Sequence, residues 1–93
     1  MLRTQARVQL EAQRAQRALA SAERQLAMAQ ERVALAAENL HLSEKAFSLG
    51  EFDLAALLRI RAAAFDAEAF FDRQRVARAA SISRLNQALG VLP

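Results

Sequence analysis

Apolar residues follow a strict seven-residue repeat along the first half of the chain. The repeat alternates steps of four and three residues, and none of its positions is charged. A period of 3.5 residues is typical of a left-handed coiled coil, in which a helix packs an apolar seam against a neighbour. The seam positions are Val8, Ala12, Ala15, Leu19, Ala22, Leu26, Ala29, Val33, Ala36, Leu40, Ser43 and Phe47. The pattern predicts one helix over residues 2–49, roughly 70 Å long at the usual rise per residue.

The second half of the chain carries two neighbouring apolar stripes. One consists of Leu54, Leu58, Phe65, Ala69, Val76 and Ala79, and the other of Leu57, Ile60, Ala64, Phe71 and Leu85. A helix in a lone hairpin needs a single stripe, so the second stripe predicts contacts with other subunits. The predicted packing seam comprises Leu19, Leu26, Val33, Leu40, Phe47, Leu58 and Phe65.

Glycine and proline interrupt this pattern at two places only. Gly50 fits the left-handed position that closes a helix, and the next helix can start at Ser48 with Glu51 or at Asp53 as its N-cap. Gly90 has the same chemistry, with Pro93 blocking continuation. We therefore predict an all-α fold, with a helix over 2–49, a turn at 50–52 and a helix over 53–89. So short a turn makes the helices a long antiparallel hairpin.

The composition limits what such a hairpin can do alone. The chain has 93 residues, no cysteine and a net charge of +3, and much of its 54% hydrophobic content is alanine. One pair of helices has no enclosed centre, so we expect self-association of the chain, as a dimer or higher, in a four-helix bundle or an α-barrel. No apolar run reaches the roughly 18 residues of a membrane span, and no signal peptide pattern opens the chain.

The polar residues do not point to catalysis, to a cofactor or to nucleic acid. His41, the only histidine, has Glu38 and Glu44 on the same predicted helix face. These residues allow a zinc site, but a solvated face is the favoured interpretation, and we predict no metal site. The basic first third lacks the interleaved aromatic residues that stack on bases, so we predict no nucleic-acid binding.

The turn and the end of the second helix resemble the TolC-like outer membrane efflux proteins. The similar segments are Ala46-Phe47-Ser48-Leu49-Gly50-Glu51-Phe52-Asp53-Leu54-Ala55-Ala56-Leu57-Leu58, with an aromatic residue, an apolar residue and Gly at the tip, and Leu85-Asn86-Gln87-Ala88-Leu89-Gly90. The Glu-Phe-Asp-Leu turn and the Leu-Leu-Arg that follows it are most similar to the heavy-metal efflux branch.

This resemblance implies a segment of a longer, trimeric outer-membrane protein that exports drugs or heavy-metal cations. In that family hairpins form a periplasmic α-barrel, contact with the membrane is made only by a β-barrel, and the tips bind a periplasmic adaptor protein that connects to an inner-membrane pump. The implied partner-binding tip comprises Leu49, Gly50, Glu51, Phe52, Asp53 and Leu54. The apolar pair Leu49 and Phe52 favours a binding surface, because a plain turn is usually polar.

One feature departs from the family pattern, and two alternatives stay open. Some family members have acidic residues beyond the tip glycine, where this chain has Arg59 and Arg61. These two predict a basic constriction of the pore or ion pairs with a neighbour. The first alternative is the hairpin of a periplasmic adaptor, whose usual Arg and Leu spacing is not met here. The second is a free-standing helical-hairpin interaction protein, a class that often has a tryptophan in its turn.

Overall fold

The fold consists of two long helices joined by a short turn. A computed structural model describes the backbone of residues 2–90 and the side chains of residues 4–90. Helix α1 spans Leu2–Ser48 and helix α2 spans Leu54–Gly90, with no strand among the described residues. The prediction of an all-α helical hairpin is confirmed. Pro93, predicted to block the second helix, lies outside the described residues.

Long uninterrupted helices follow from the residues that fill them. Alanine, leucine, arginine, glutamine and glutamate dominate both segments, and these residues have high intrinsic helix propensity. The boundaries differ by one residue from the predicted ones: α1 ends at residue 48 rather than 49, and α2 covers 54–90 rather than 53–89. The chain divides into two compact units. We call residues 27–73 the tip unit, and residues 2–26 with 74–90 the terminal unit.

The predicted seam of α1 lies against α2 within each unit. Ala12, Ala22, Ala29 and Ser43 are buried, and the larger seam residues from Val8 to Leu40 are half-buried. Phe47 is the exception, since 40% of it is exposed. The neighbouring Ala46 is half-buried instead. Both residues lie close to the end of α1 at Ser48, where the chain starts to turn. Small residues at the buried positions let the two backbones approach closely.

Helix α2 also has a strict heptad seam, which the division into two stripes did not identify. The positions that face α1 are Leu57, Ile60, Ala64, Ala67, Phe71, Gln74, Arg78, Ser81, Leu85 and Ala88, and all of them except Arg78 are buried or half-buried. Polar residues at three of these positions hide the pattern in the sequence. Arg78 places its Nε 3.8 Å from Glu23 Oε1 in the terminal unit.

Candidate partner-binding site at the hairpin tip

Helix α1 ends in a Schellman motif centred on Gly50. The Glu51 N–H donates to the Ala46 carbonyl at 2.9 Å, and the Gly50 N–H donates to the Phe47 carbonyl at 3.0 Å. Gly50 has a φ of +75°, the left-handed conformation predicted for it. These bonds satisfy carbonyl groups that the end of a helix leaves without partners. Gly90, by contrast, is helical, so its predicted left-handed conformation is wrong.

Asp53 is the N-cap of α2. Its Oδ2 accepts a hydrogen bond from the Ala56 N–H at 3.3 Å, and its carbonyl accepts the first helical bond from Leu57 at 3.0 Å. Ser48, the alternative start, instead donates its hydroxyl back to the Lys45 carbonyl at 2.7 Å. The turn is thus held at both ends by local hydrogen bonds.

Phe52 does not project from the tip as its pairing with Leu49 predicted. It is half-buried, while Leu49 is 64% exposed. Phe52 precedes the N-cap and Leu57, which is buried, lies at the fourth helical position. These are the two positions of a hydrophobic staple, in which the first apolar residue folds back over the helix start. The burial of Phe52 and its position relative to Leu57 are those of such a staple.

Leu54, rather than Phe52, is the second exposed apolar residue at the tip. It is the first residue of α2 and is 52% exposed. Leu49 and Leu54 thus form the exposed apolar part of the hairpin tip, beside the exposed residues Glu51 and Asp53. We call these four residues, with Gly50, the tip patch. An apolar pair edged by carboxylates suits a partner surface that offers apolar side chains and cations.

Exposed apolar residues continue from the tip along the tip unit on both helices. Of the described residues, the exposed large ones of this unit are Met28, Leu35, Leu42, Phe47, Leu49, Leu54, Leu58 and Phe65. Met28, Leu35 and Leu42 are spaced by seven residues, so they form a row on one face of α1 away from the seam, and Leu49 follows at the same spacing just beyond the helix. This row was not predicted from the sequence, although its seven-residue spacing is visible there.

Only part of the predicted packing seam lies between the two helices. Leu19, Leu26, Val33 and Leu40 lie between α1 and α2, each half-buried. Leu58 and Phe65 do not pack against α1, because Leu57 and Ala64 occupy those positions of the seam. Contact of Leu58 and Phe65 with another chain stays a prediction.

The basic residues beyond the tip differ in their surroundings. The Arg61 guanidinium lies 4.0 Å from Glu44 Oε1 of the same chain, with both side chains about half exposed. Arg59 is exposed. An exposed ion pair at this distance stabilises the fold by less than about 1 kcal/mol.

Two further features lie away from the tip. In the tip unit, Arg32 of α1 and Arg73 of α2 both approach the ring of Phe70, at 5.5 and 5.8 Å from its centroid. In the terminal unit, a groove of about 460 Å³ is lined by Glu11, Arg14, Ala15, Ala18, Ser81, Arg84, Gln87 and Ala88. Its charged residues have both signs, with one glutamate and two arginines.

No grouping of His, Asp and Glu side chains within residues 4–90 has the arrangement needed to hold a metal ion. Neither helix, over its described length, has a segment long and apolar enough to cross a membrane. Comparison of the chain with protein-family models, with curated proteins and with solved structures found no match.

Proposed function

We propose that the chain is a periplasmic helical hairpin of a trimeric outer-membrane efflux duct of the TolC-like type. In this function its tip binds an adaptor protein in a tripartite system that exports drugs or heavy-metal cations. The observation that carries the proposal is the tip patch, where Leu49 in the turn and Leu54 at the start of α2 expose apolar surface. Polar residues would ordinarily fill such a turn.

The rigidity of the turn supports a docking function. The Schellman bonds at Gly50 and the Asp53 cap hold the patch between two long helices. A surface ordered before binding loses less conformational entropy when a partner docks, which favours affinity. Because Phe52 is half-buried, the docking residues in this proposal are Leu49 and Leu54, with Glu51 and Asp53 beside them.

The exposed rows on the tip unit support assembly with neighbouring hairpins. Each helix uses one seam inside the hairpin and keeps a second apolar face exposed. A helix in the wall of an α-barrel needs such a second face, because it has a neighbour on each side. In the duct, Met28, Leu35 and Leu42 of one helix and Leu58 and Phe65 of the other would contact sister helices.

Leu49→Asp in the gene that encodes the chain tests the proposal. A buried, unpaired carboxylate in the adaptor contact is strongly unfavourable, so we expect resistance to the exported compounds to fall to the level of the deleted gene. The trimer should still assemble, because Leu49 lies outside the helical seams. Resistance is measured by growth in metal salts and in drugs, and assembly by chemical crosslinking.

Ala34→Asp is the matched control. Ala34 is exposed in the middle of α1, so the same charge is added to a helix face far from the turn. We expect it to leave resistance unchanged. Normal resistance in the Leu49→Asp strain, with the protein present at its usual level, would contradict tip docking.

A further inference from the structure

The outward face of α2 in the tip unit has the pattern of a second coiled-coil seam. Its positions are Ala55, Leu58, Ala62, Phe65, Ala69 and Asp72, spaced alternately by three and four residues, and all six are exposed. We call them the outer stripe. Phe65 is 65% exposed, although it is among the largest apolar residues in the chain. Since α1 packs on the opposite side of α2, this face is free to accept another helix.

A second copy of the same stripe fits it in one antiparallel register. When the two-fold axis passes at the level between residues 63 and 64, Phe65 faces Ala62 of the other copy and Leu58 faces its Ala69. Asp72 faces Ala55 at the edge. Each large apolar side chain then meets a small one, which is how knobs fill holes in a coiled coil. Shifting either helix by seven residues still places apolar residues opposite each other in the seam, but it changes which charged residues beside the seam face each other.

The charged flanks favour this register over its neighbours. It brings Arg59 beside Asp66 of the other copy, and Arg61 beside Glu68, and the symmetry forms each pair twice. A shift by seven residues in one direction brings Arg59 beside Arg59, and in the other it brings Asp66 beside Asp66. Like charges at flanking positions are unfavourable, whereas opposite charges select register and orientation.

Three of the four flanking residues form no ion pair within the described part of the chain, and the fourth, Arg61, keeps exposed surface for a second contact. Arg59, Asp66 and Glu68 are exposed and form no ion pair within the described residues. Arg61 lies near Glu44 at 4.0 Å, and about half of its side chain remains exposed. A guanidinium has five N–H donors, so Arg61 can contact Glu44 and a second carboxylate together.

A parallel pairing of the two stripes is less favourable. When the two parallel helices are aligned residue by residue, Arg61 lies beside Asp66 of the other copy, so this arrangement also has an attractive pair. However, it stacks Phe65 on Phe65 and places Asp72 directly against Asp72 in a core position. Two carboxylates in an apolar seam repel each other and lose hydration. The antiparallel arrangement avoids both problems.

We propose that two copies of the 93-residue chain associate through the outer stripes of their α2 helices, antiparallel, about this two-fold axis. The pairing rests on residues 55–72 alone and does not depend on the proposed efflux function. A trimeric duct would use the same face for different neighbours, so oligomeric state separates the two arrangements.

Sedimentation equilibrium of the purified 93-residue chain tests the pairing. We expect a dimer that dissociates on dilution, and expect Phe65→Asp to give a monomer at every concentration measured. Circular dichroism should show that this variant keeps its helices, because residue 65 is 65% exposed and lies outside the seam between α1 and α2. Leu35→Asp, the same change at an equally exposed apolar residue of α1, should leave the dimer intact.

Charge exchange tests the register. Arg59→Glu should weaken the dimer about tenfold, since it turns two attractive pairs into repulsive ones. Adding Asp66→Arg should restore the original affinity by reversing both members of the pair. Failure of the double variant to recover would overturn the antiparallel register, because in the parallel one Asp66→Arg opposes Arg61.

A monomeric wild-type chain at all concentrations would overturn the proposal. So would a trimer, or dissociation by Leu35→Asp with no effect of Phe65→Asp. None of these results depends on resistance in cells, so the pairing and the efflux function can fail separately.

Discussion

At the scale of single residues, the conformation of Gly50 could be predicted from the sequence, whereas the burial of Phe52 could not. The left-handed conformation of Gly50 and the capping role of Asp53 were predictable, because both follow from local backbone chemistry. The inward position of Phe52 was not evident, since it depends on Leu57 being buried in α2. An apolar residue in a turn is exposed or folded back according to such a neighbour.

Replacing Gly50 by alanine should cost stability through backbone strain alone. A Cβ at this position would have no atom within 4 Å, so no clash adds to the cost. The left-handed conformation disfavours a side chain by about 1–2 kcal/mol, and we expect the free energy of unfolding to fall by about that much. Urea unfolding followed by circular dichroism measures the change.

Gly90→Ala is the control for this prediction. Gly90 is helical and also has open space around it, so alanine should leave stability unchanged or raise it slightly. Equal losses in the two variants would show that the φ of Gly50 is not the cause.

At the scale of the helices, whether a seam could be found from the sequence depended on the residues that fill it. The seam of α1 was found because none of its positions is charged, and burial follows it from Val8 to Leu40. The seam of α2 was missed because Gln74, Arg78 and Ser81 interrupt it. Polar residues are tolerated there because Arg78 stays exposed beside Glu23, and Ser81 is small enough to fit between the helices.

Ala29→Leu tests whether close helix approach stabilises the hairpin. Ala29 is 1% exposed, so three extra carbon atoms have no space without moving α1 away from α2. Overpacking of this kind costs about 1–3 kcal/mol, and we expect a loss in that range by thermal unfolding.

Ala27→Leu places the same side chain on an exposed position of α1 and should change stability by less than about 0.5 kcal/mol. If Ala29→Leu were as well tolerated as this control, the small seam positions would not set the spacing of the helices.

At the scale of the whole molecule, the chain leaves unusually much surface in contact with water. Its accessible area is 7146 Å², whereas a compact monomer of its mass exposes about 5300 Å². None of the large side chains in the described part of the chain is less than 2% exposed. The apolar area that stabilises a globular domain is thus only partly buried within one copy. The prediction that the chain needs a partner came from its length and composition, whereas the choice of the face that a partner would cover required the burial pattern.

The thermal stability of the fold should therefore depend on chain concentration. For a dimer that unfolds to monomers, a hundredfold rise in concentration adds about 2.7 kcal/mol per dimer, which raises the thermal midpoint by roughly 5–10 °C in a chain of this size. Circular dichroism melts over that range of concentration measure the shift.

Phe65→Asp should melt at a lower temperature that does not vary with concentration, because it removes the largest residue of the outer stripe and leaves the seam between α1 and α2 intact. A wild-type midpoint that stays constant would mean that the contacts within one hairpin suffice, and that the exposed apolar rows are not needed for folding.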